Sequence, residues 1–127
     1  MIRNKKVDEK MLKHKNAWSK LESERNLESL MVNFEQKLID KMIDGGISKI
    51  FFSVWDEEYE YIDFSLEQVG LFFEGIHIRD CMIGGYEFNF VCNNLDKIEK
   101  SLDRKIDDFI KSRKICEKQL KNFLGDN

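Results

Sequence analysis

The sequence predicts an α+β fold. An antiparallel sheet of three to four strands, over about residues 47–92, is flanked by long N-terminal and C-terminal helices. Three observations carry this expectation. Apolar residues recur at helical spacing from about Val7 to Met42 and again from Leu95 to Phe123. Between them the chain turns to β-branched and aromatic residues that alternate with polar ones. With 127 residues, no proline and no shift in composition, the whole chain reads as one domain: 1–46 helical, 47–92 sheet, 95–124 a long helix.

The N-terminal pattern has two stripes. Val7, Met11, Trp18 and Leu21 make the first, with His14 on the same face; Leu27, Leu30, Met31, Phe34, Leu38 and Met42 make the second. The six-residue step from Leu21 to Leu27 breaks the phase, so either one helix rotates its apolar face there or two helices meet. Gly45 and Gly46 close the run, because glycine takes the left-handed conformation that ends helices.

Ile47 to Trp55 and Tyr59 to Phe64 are the next two runs, joined by Asp56, Glu57 and Glu58 as the turn of a hairpin. In the second run Ile62 and Phe64 share one face, and Tyr59, Tyr61 and Asp63 share the other. Residues 65–75 suit either a capped helix or a strand, and the strand is favoured because it continues, with a bulge at Gly75, into Ile76 and Ile78. Phe72, Ile76 and Ile78 are assigned to the core with Ile62 and Phe64. Gly84 and Gly85 read as a hairpin turn, followed by a half-buried strand through Tyr86, Phe88, Phe90 and Cys92. The last helix, about 43 Å long, outruns a strand of about 20 Å. Its far end therefore needs another partner, either the N-terminal helix or a second copy of the chain.

Composition narrows the function. Net charge is −3, yet it is unevenly spread: residues 1–20 stand at +5, Ile50 to Ile78 at −7, and residues 96–127 at +2. No apolar run approaches the length needed to span a bilayer, and the start MIRNKKVDEK lacks the apolar segment of a secretory signal. Cys81, Cys92 and Cys116 are too few and too far apart for a disulfide framework. A cytoplasmic location is expected, with no membrane partner.

No enzyme class finds its residues. There is no CxxC, HExxH or EF-hand spacing, and His14 and His77 are far apart, so no metal and no cofactor are expected. Cys92 and Cys116 fall in apolar stripes, where a buried small hydrophobe is the ordinary reading. The chain has no threonine, no GxSxG and no phosphate-cradling glycine loop. His77 and Arg79 share a strand face that is expected to be solvated. Arg3, Lys5, Lys6, Lys10, Lys13 and Lys15, with Lys111, Arg113, Lys114, Lys118 and Lys121, offer phosphate contacts for a basic-helix nucleic-acid binder. The acidic balance of the domain argues against direct nucleic-acid binding.

The remaining feature is the acidic aromatic hairpin. Ile50 to Ile78 holds seven carboxylates and no Lys or Arg. Like charges crowded at a turn repel, and a positive partner surface would relieve them. Aromatic side chains beside them are favoured interface anchors. The expected function is a non-enzymatic protein-binding module, with Trp55, Asp56, Glu57, Glu58, Tyr59, Glu60, Tyr61 and Asp63 as the protein-binding residues. Its expected partner is a protein with a basic surface, such as a nuclease or other nucleic-acid enzyme. Phage anti-defence inhibitors (anti-CRISPR or anti-restriction proteins) and nuclease-toxin immunity proteins act in this way, an analogy of size and charge only. The alternatives are a helical self-assembly protein, a homodimer through the C-terminal helix, or a basic-helix nucleic-acid binder, with the hairpin then a solvated turn or packed against the basic ends of the chain's own helices.

Overall fold

The computed structural model describes the backbone of residues 5–125 and the side chains of Ser19 and of residues 21–125. Val7, Met11, His14 and Trp18 of the expected first stripe therefore lie outside the described side chains. The described elements are α1 (Lys5–Asp44), β1 (Lys49–Asp56), β2 (Glu60–Glu67), β3 (Gly70–Phe73), β4 (Ile76–His77), a 3-10 turn (Ile78–Asp80), α2 (Tyr86–Asn93) and α3 (Leu95–Phe123).

With neither proline nor glycine between Lys5 and Asp44, α1 is one helix, and the phase change near Ser23–Asn26 falls inside it. At 1.5 Å per residue it is about 60 Å long. Among the described side chains of α1, Met31, Leu38, Ile39 and Met42 of its last third are buried, and Leu21, Leu27 and Leu30 are exposed. Gly46 (φ +72°) ends it in a Schellman motif: its N–H donates to Ile43 O at 2.8 Å, and that of Ile47 to Met42 O at 3.1 Å.

The strands form an antiparallel meander in the order β1-β2-β3-β4. Ile50, Phe52 and Val54 of β1 are buried, as are Ile62, Phe64 and Leu66 of β2 and Leu71 and Phe73 of β3. The pairs Phe52–Phe64 and Val54–Ile62 lie opposite one another, so one face of the sheet is continuously apolar. Against it pack Met31, Leu38, Ile39 and Met42 of α1, Phe88, Phe90 and Val91 of α2, and Ile98, Leu102 and Ile106 of α3.

Several expectations need correction. Residues 86–93 are a helix, not a strand, and Cys92 is exposed. Gly85 is its N-cap, Asn89 Nδ2 donates to Gly84 O at 2.9 Å, and the buried residues are Phe88, Phe90 and Val91. The alternation of aromatics was a chance match to period two; the open end of the core face recruits the segment as a helical cover. The sheet thus ends at His77 and not near residue 92. Gly75 (φ +85°) is a turn between β3 and β4 rather than a bulge. Ile76 is exposed and Phe72 half-buried on the outer face, because register sets Phe72 opposite Ser65 and not in the Phe64–Phe73 row.

Lys37 reaches Glu99 (2.9 Å), Lys41 reaches Asp103 (3.0 Å), and Arg113 Nη2 donates to Gly45 O (3.0 Å). The paired numbers rise together, so α1 and α3 run side by side in the same direction and α3 continues past the end of α1. The far end of α3 is therefore not covered by the N-terminal helix: every residue from Lys111 to Gly125 is exposed, Cys116 among them. Among the described residues no helix is long and apolar enough to cross a membrane.

The two halves of α3 should respond differently to truncation. Leu102→Ala, in the buried half, is expected to cost about 3 kcal/mol of unfolding free energy, whereas Leu120→Ala, in the overhang, changes it by less than about 0.5 kcal/mol. Urea unfolding of the two variants checks the contrast.

Candidate functional site

Parity in the strands builds the candidate surface. With Ile50, Phe52 and Val54 turned inward, Phe51, Ser53 and Trp55 must point out, and the register sets them opposite Ser65, Asp63 and Tyr61. Trp55 and Tyr61 meet edge-on with ring centroids 5.0 Å apart, yet remain 52% and 67% exposed. Phe51, 63% exposed, continues this outer face. Phe72 stacks on His77 at 4.9 Å at its far side. No buried helix residue lies here, since the three helices share the other face.

The hairpin tip is built from its own acids. Asp56 Oδ2 accepts from the Glu58 and Tyr59 N–H groups, both at 3.1 Å, which makes Asp56 the brace of the turn Glu57–Tyr59. Glu60 follows with φ +64°, a conformation that suits glycine, and Glu74 at the next turn has φ +46°. Glu57 and Glu58 are exposed. Among the described residues none of Asp56, Glu57, Glu58, Glu60, Asp63 and Glu74 makes an ion pair.

The expected site residues thus divide. Trp55, Tyr61 and Asp63 share the outer face, where Asp63 accepts from Ser53 Oγ at 2.7 Å. Glu57, Glu58 and Glu60 cap its upper edge. Asp56 serves the turn. Tyr59 leaves the outer face and packs against Tyr86 of α2, centroids 5.2 Å apart; burial and then Tyr59 and Asp56 raise the Tyr86 hydroxyl above its ordinary range. Arg3 to Lys15 of the expected basic set lie outside the described side chains.

Two features were missed. The first is Phe51, together with Arg104, Lys105 and Asp108 of α3. These four join Ser53 and Asp63 around an open groove of about 520 Å³, and a second groove of about 490 Å³ extends it through Phe51 and Asp63 to Glu74. The Phe51-Phe52 doublet was the available signal, because one member of adjacent aromatics in a strand must face outward. The second is a buried polar cluster. Glu35 of α1 is 0% exposed, Arg79 Nε donates to its Oε2 at 2.9 Å, and His77 Nε2 lies 3.8 Å away. A side chain at Gly70 (φ +148°) would collide with Glu35 Oε2 and His77 Nε2, so glycine makes the cluster possible. The solvated face expected for His77 and Arg79 is instead a clamp between the end of the sheet and α1. Glu35 sits on the helix's inward stripe, and that placement was its only signal in the sequence.

Burial raises the Glu35 carboxyl above its ordinary range, against the lowering effects of Arg79, His77 and the Leu71 amide. Partial desolvation likewise raises the Cys81 and Cys92 thiols above their ordinary range. Among the described residues no group of three or more His, Cys, Asp or Glu is placed to hold a metal ion.

Comparison with protein-family models, with curated proteins and with solved structures finds no match for this chain. The functional reading therefore rests on the surface itself.

Two substitutions test the site's energetics. Glu60→Gly is expected to raise unfolding free energy by up to about 1 kcal/mol, through relief of the left-handed backbone, while Glu60→Gln leaves it nearly unchanged. The raised Glu35 carboxyl means that the folded chain holds its proton more tightly than the unfolded chain. Stability from this group is complete below the ordinary Glu range and is lost as pH rises through the raised folded value. Urea midpoints measured from acid to neutral pH should therefore shift in favour of Glu35→Gln over the wild type as pH rises.

Proposed function

We propose that the chain is a non-enzymatic protein-binding module that docks the outer face of its sheet, led by the acidic hairpin tip, onto a basic surface of another protein. The observation that carries this reading is the outer face itself. Phe51, Trp55 and Tyr61 lie exposed on one face; Lys49 stands over the Phe51 ring at 5.0 Å and pairs with Glu67 at 2.8 Å, while Asp56, Glu57, Glu58, Glu60, Asp63 and Glu74 make no ion pair among the described residues. Exposed aromatics on a rigid sheet are low-entropy anchors, and unpaired acids around them steer a cationic partner. Glu60 and Glu74 support it further: both occupy left-handed positions that glycine would fill with less strain, and strain kept at a charged tip points to use.

The best-fitting partner is the nucleic-acid groove of an enzyme such as a nuclease, where carboxylates take the places of phosphates and block access. An inhibitor or immunity protein would act in this way. Trp55, Tyr61 and Phe51 anchor the contact. Glu57, Glu58, Glu60 and Asp63 supply its charge, and Asp56 holds the turn that presents them.

The test is affinity capture from lysate at low salt, with captured proteins identified by mass spectrometry. Asp56 is left intact so that the turn survives. Glu57→Lys with Glu58→Lys, and separately Trp55→Ala with Tyr61→Ala, are expected to lose a basic nucleic-acid enzyme retained by the wild type, about a hundredfold in affinity. Equal retention of the same proteins by folded variants overturns the reading.

A further inference from the structure

The two edges of the sheet are finished differently. β4 is two residues long and passes straight into the 3-10 turn. β1 is eight residues long, pairs with β2 in unbroken register from Lys49–Glu67 to Asp56–Glu60, and has no strand on its other side. Proline, a bulge or a short strand ordinarily guards such an edge, and β1 has none of them. Its one lysine, Lys49, stands at the first residue and is paired with Glu67. Alternate residues of an antiparallel strand turn their N–H and C=O groups away from the partner strand, so half of those of β1 face the open side. Among the described residues no backbone hydrogen bond reaches them from outside the sheet. The groove of about 520 Å³ lies along this edge, with Phe51 and Ser53 of β1 on one side and Ser101, Arg104, Lys105 and Asp108 of α3 on the other. At 3.6 residues per turn these four share the flank of α3 turned away from Glu99 and Asp103, which meet α1.

We infer that this groove takes an extended segment of another protein, added to β1 as a further strand, with an acidic side chain of the segment meeting Arg104 and Lys105. The lining holds two bases and two acids, so position and not net charge selects the segment. Asp63 is engaged by Ser53 Oγ at 2.7 Å. Arg104, Lys105 and Asp108 are exposed and make no ion pair among the described residues. Asp108 lies about 6 Å further along α3 than Arg104, and every second residue of a strand advances about 6.6 Å. The segment that fits therefore carries an acid and, two residues away, a base, both directed at α3. Hydrogen bonds to the β1 backbone supply the affinity, and this charge order supplies the choice. The β1 strand of a second copy does not fit. A continued antiparallel sheet sets the two β1 strands about 4.8 Å apart with α3 of both copies on one face, where packed helices need about 8–10 Å. Of the strands, α3 packs chiefly on β1, so its copy finds no room. A bare strand brings no helix with it. The inference does not rest on the basic partner proposed above, whose charge contacts lie at the hairpin tip.

A phage-displayed library of random peptides of about twelve residues, long enough to span β1, is panned on the purified full chain to supply the probe. Selection is expected to favour sequences that alternate apolar and polar residues and carry Asp or Glu two positions from Lys or Arg. The most enriched peptide, made synthetically, should bind the chain and slow hydrogen exchange at alternate amides of β1, leaving the tip amides of Glu57 and Glu58 unchanged. Arg104→Glu with Lys105→Glu, both on exposed positions of α3, should weaken that peptide about tenfold or more, with circular dichroism confirming the fold. The same peptide with its acid changed to Lys should recover binding to the charge-reversed variant. A library without enrichment, a peptide that leaves β1 exchange unchanged, or equal binding to the wild type and the charge-reversed variant overturns the inference. So does β1 protection that rises with the concentration of the chain alone, because a second copy then occupies the groove.

Discussion

Phe64 is where the layers of this protein meet. Its ring stacks on Phe52 of β1 at 5.5 Å, meets Phe73 of β3 edge-on at 5.3 Å and lies 6.4 Å from Phe90 of α2. Once that side chain is committed inward, strand parity leaves no choice for its neighbours: Asp63 and Ser65 turn outward, and register carries the same alternation across to Phe51, Ser53 and Trp55. The helices gather on the side where Phe64 points. The aromatic outer face is thus a by-product of core packing, and the unpaired acids at its turns are what the proposed function builds on. On that face Lys49 neutralises Glu67, and the acids nearer the turns are left without a basic partner among the described residues.

The same packing explains what could be read from the sequence. The long helices, the first hairpin and the inward pair Ile62 and Phe64 were legible because periodicity and burial agree there. The segment Tyr86–Asn93 was not, since aromatic residues favour strands locally and only the need to close the core beside Phe73 makes it a helix. His77 and Arg79 were misread for a related reason. Their partner Glu35 is more than forty residues away in sequence, and no local pattern records a carboxylate that arrives from another element. Most of the candidate surface could be named from the hairpin alone, but its shape could not. Phe51 and the wall of Arg104, Lys105 and Asp108 join it only through the crossing of α3 over β1.

Tyr59 illustrates how a site residue chosen by composition can be diverted. It belongs to the acidic aromatic tip by sequence, yet the turn braced by Asp56 points it at Tyr86, so it stiffens the hairpin against α2. The tip is consequently held from two sides, by the Asp56 turn and by the tyrosine pair. A rigid presentation of Glu57 and Glu58 lowers the ordering cost of any contact they make.

The fastening of Arg113 to Gly45 and Gly46 also divides α3 thermodynamically. Upstream, its turns are held by tertiary burial; downstream, about ten residues have only helical hydrogen bonds and local propensity, and a free helix of that length is marginal in water. The distal turns, though continuous with a helix already formed, are therefore expected to fray more readily than the turns beside the core. Their backbone amides are expected to exchange with solvent sooner than those beside the buried Leu102.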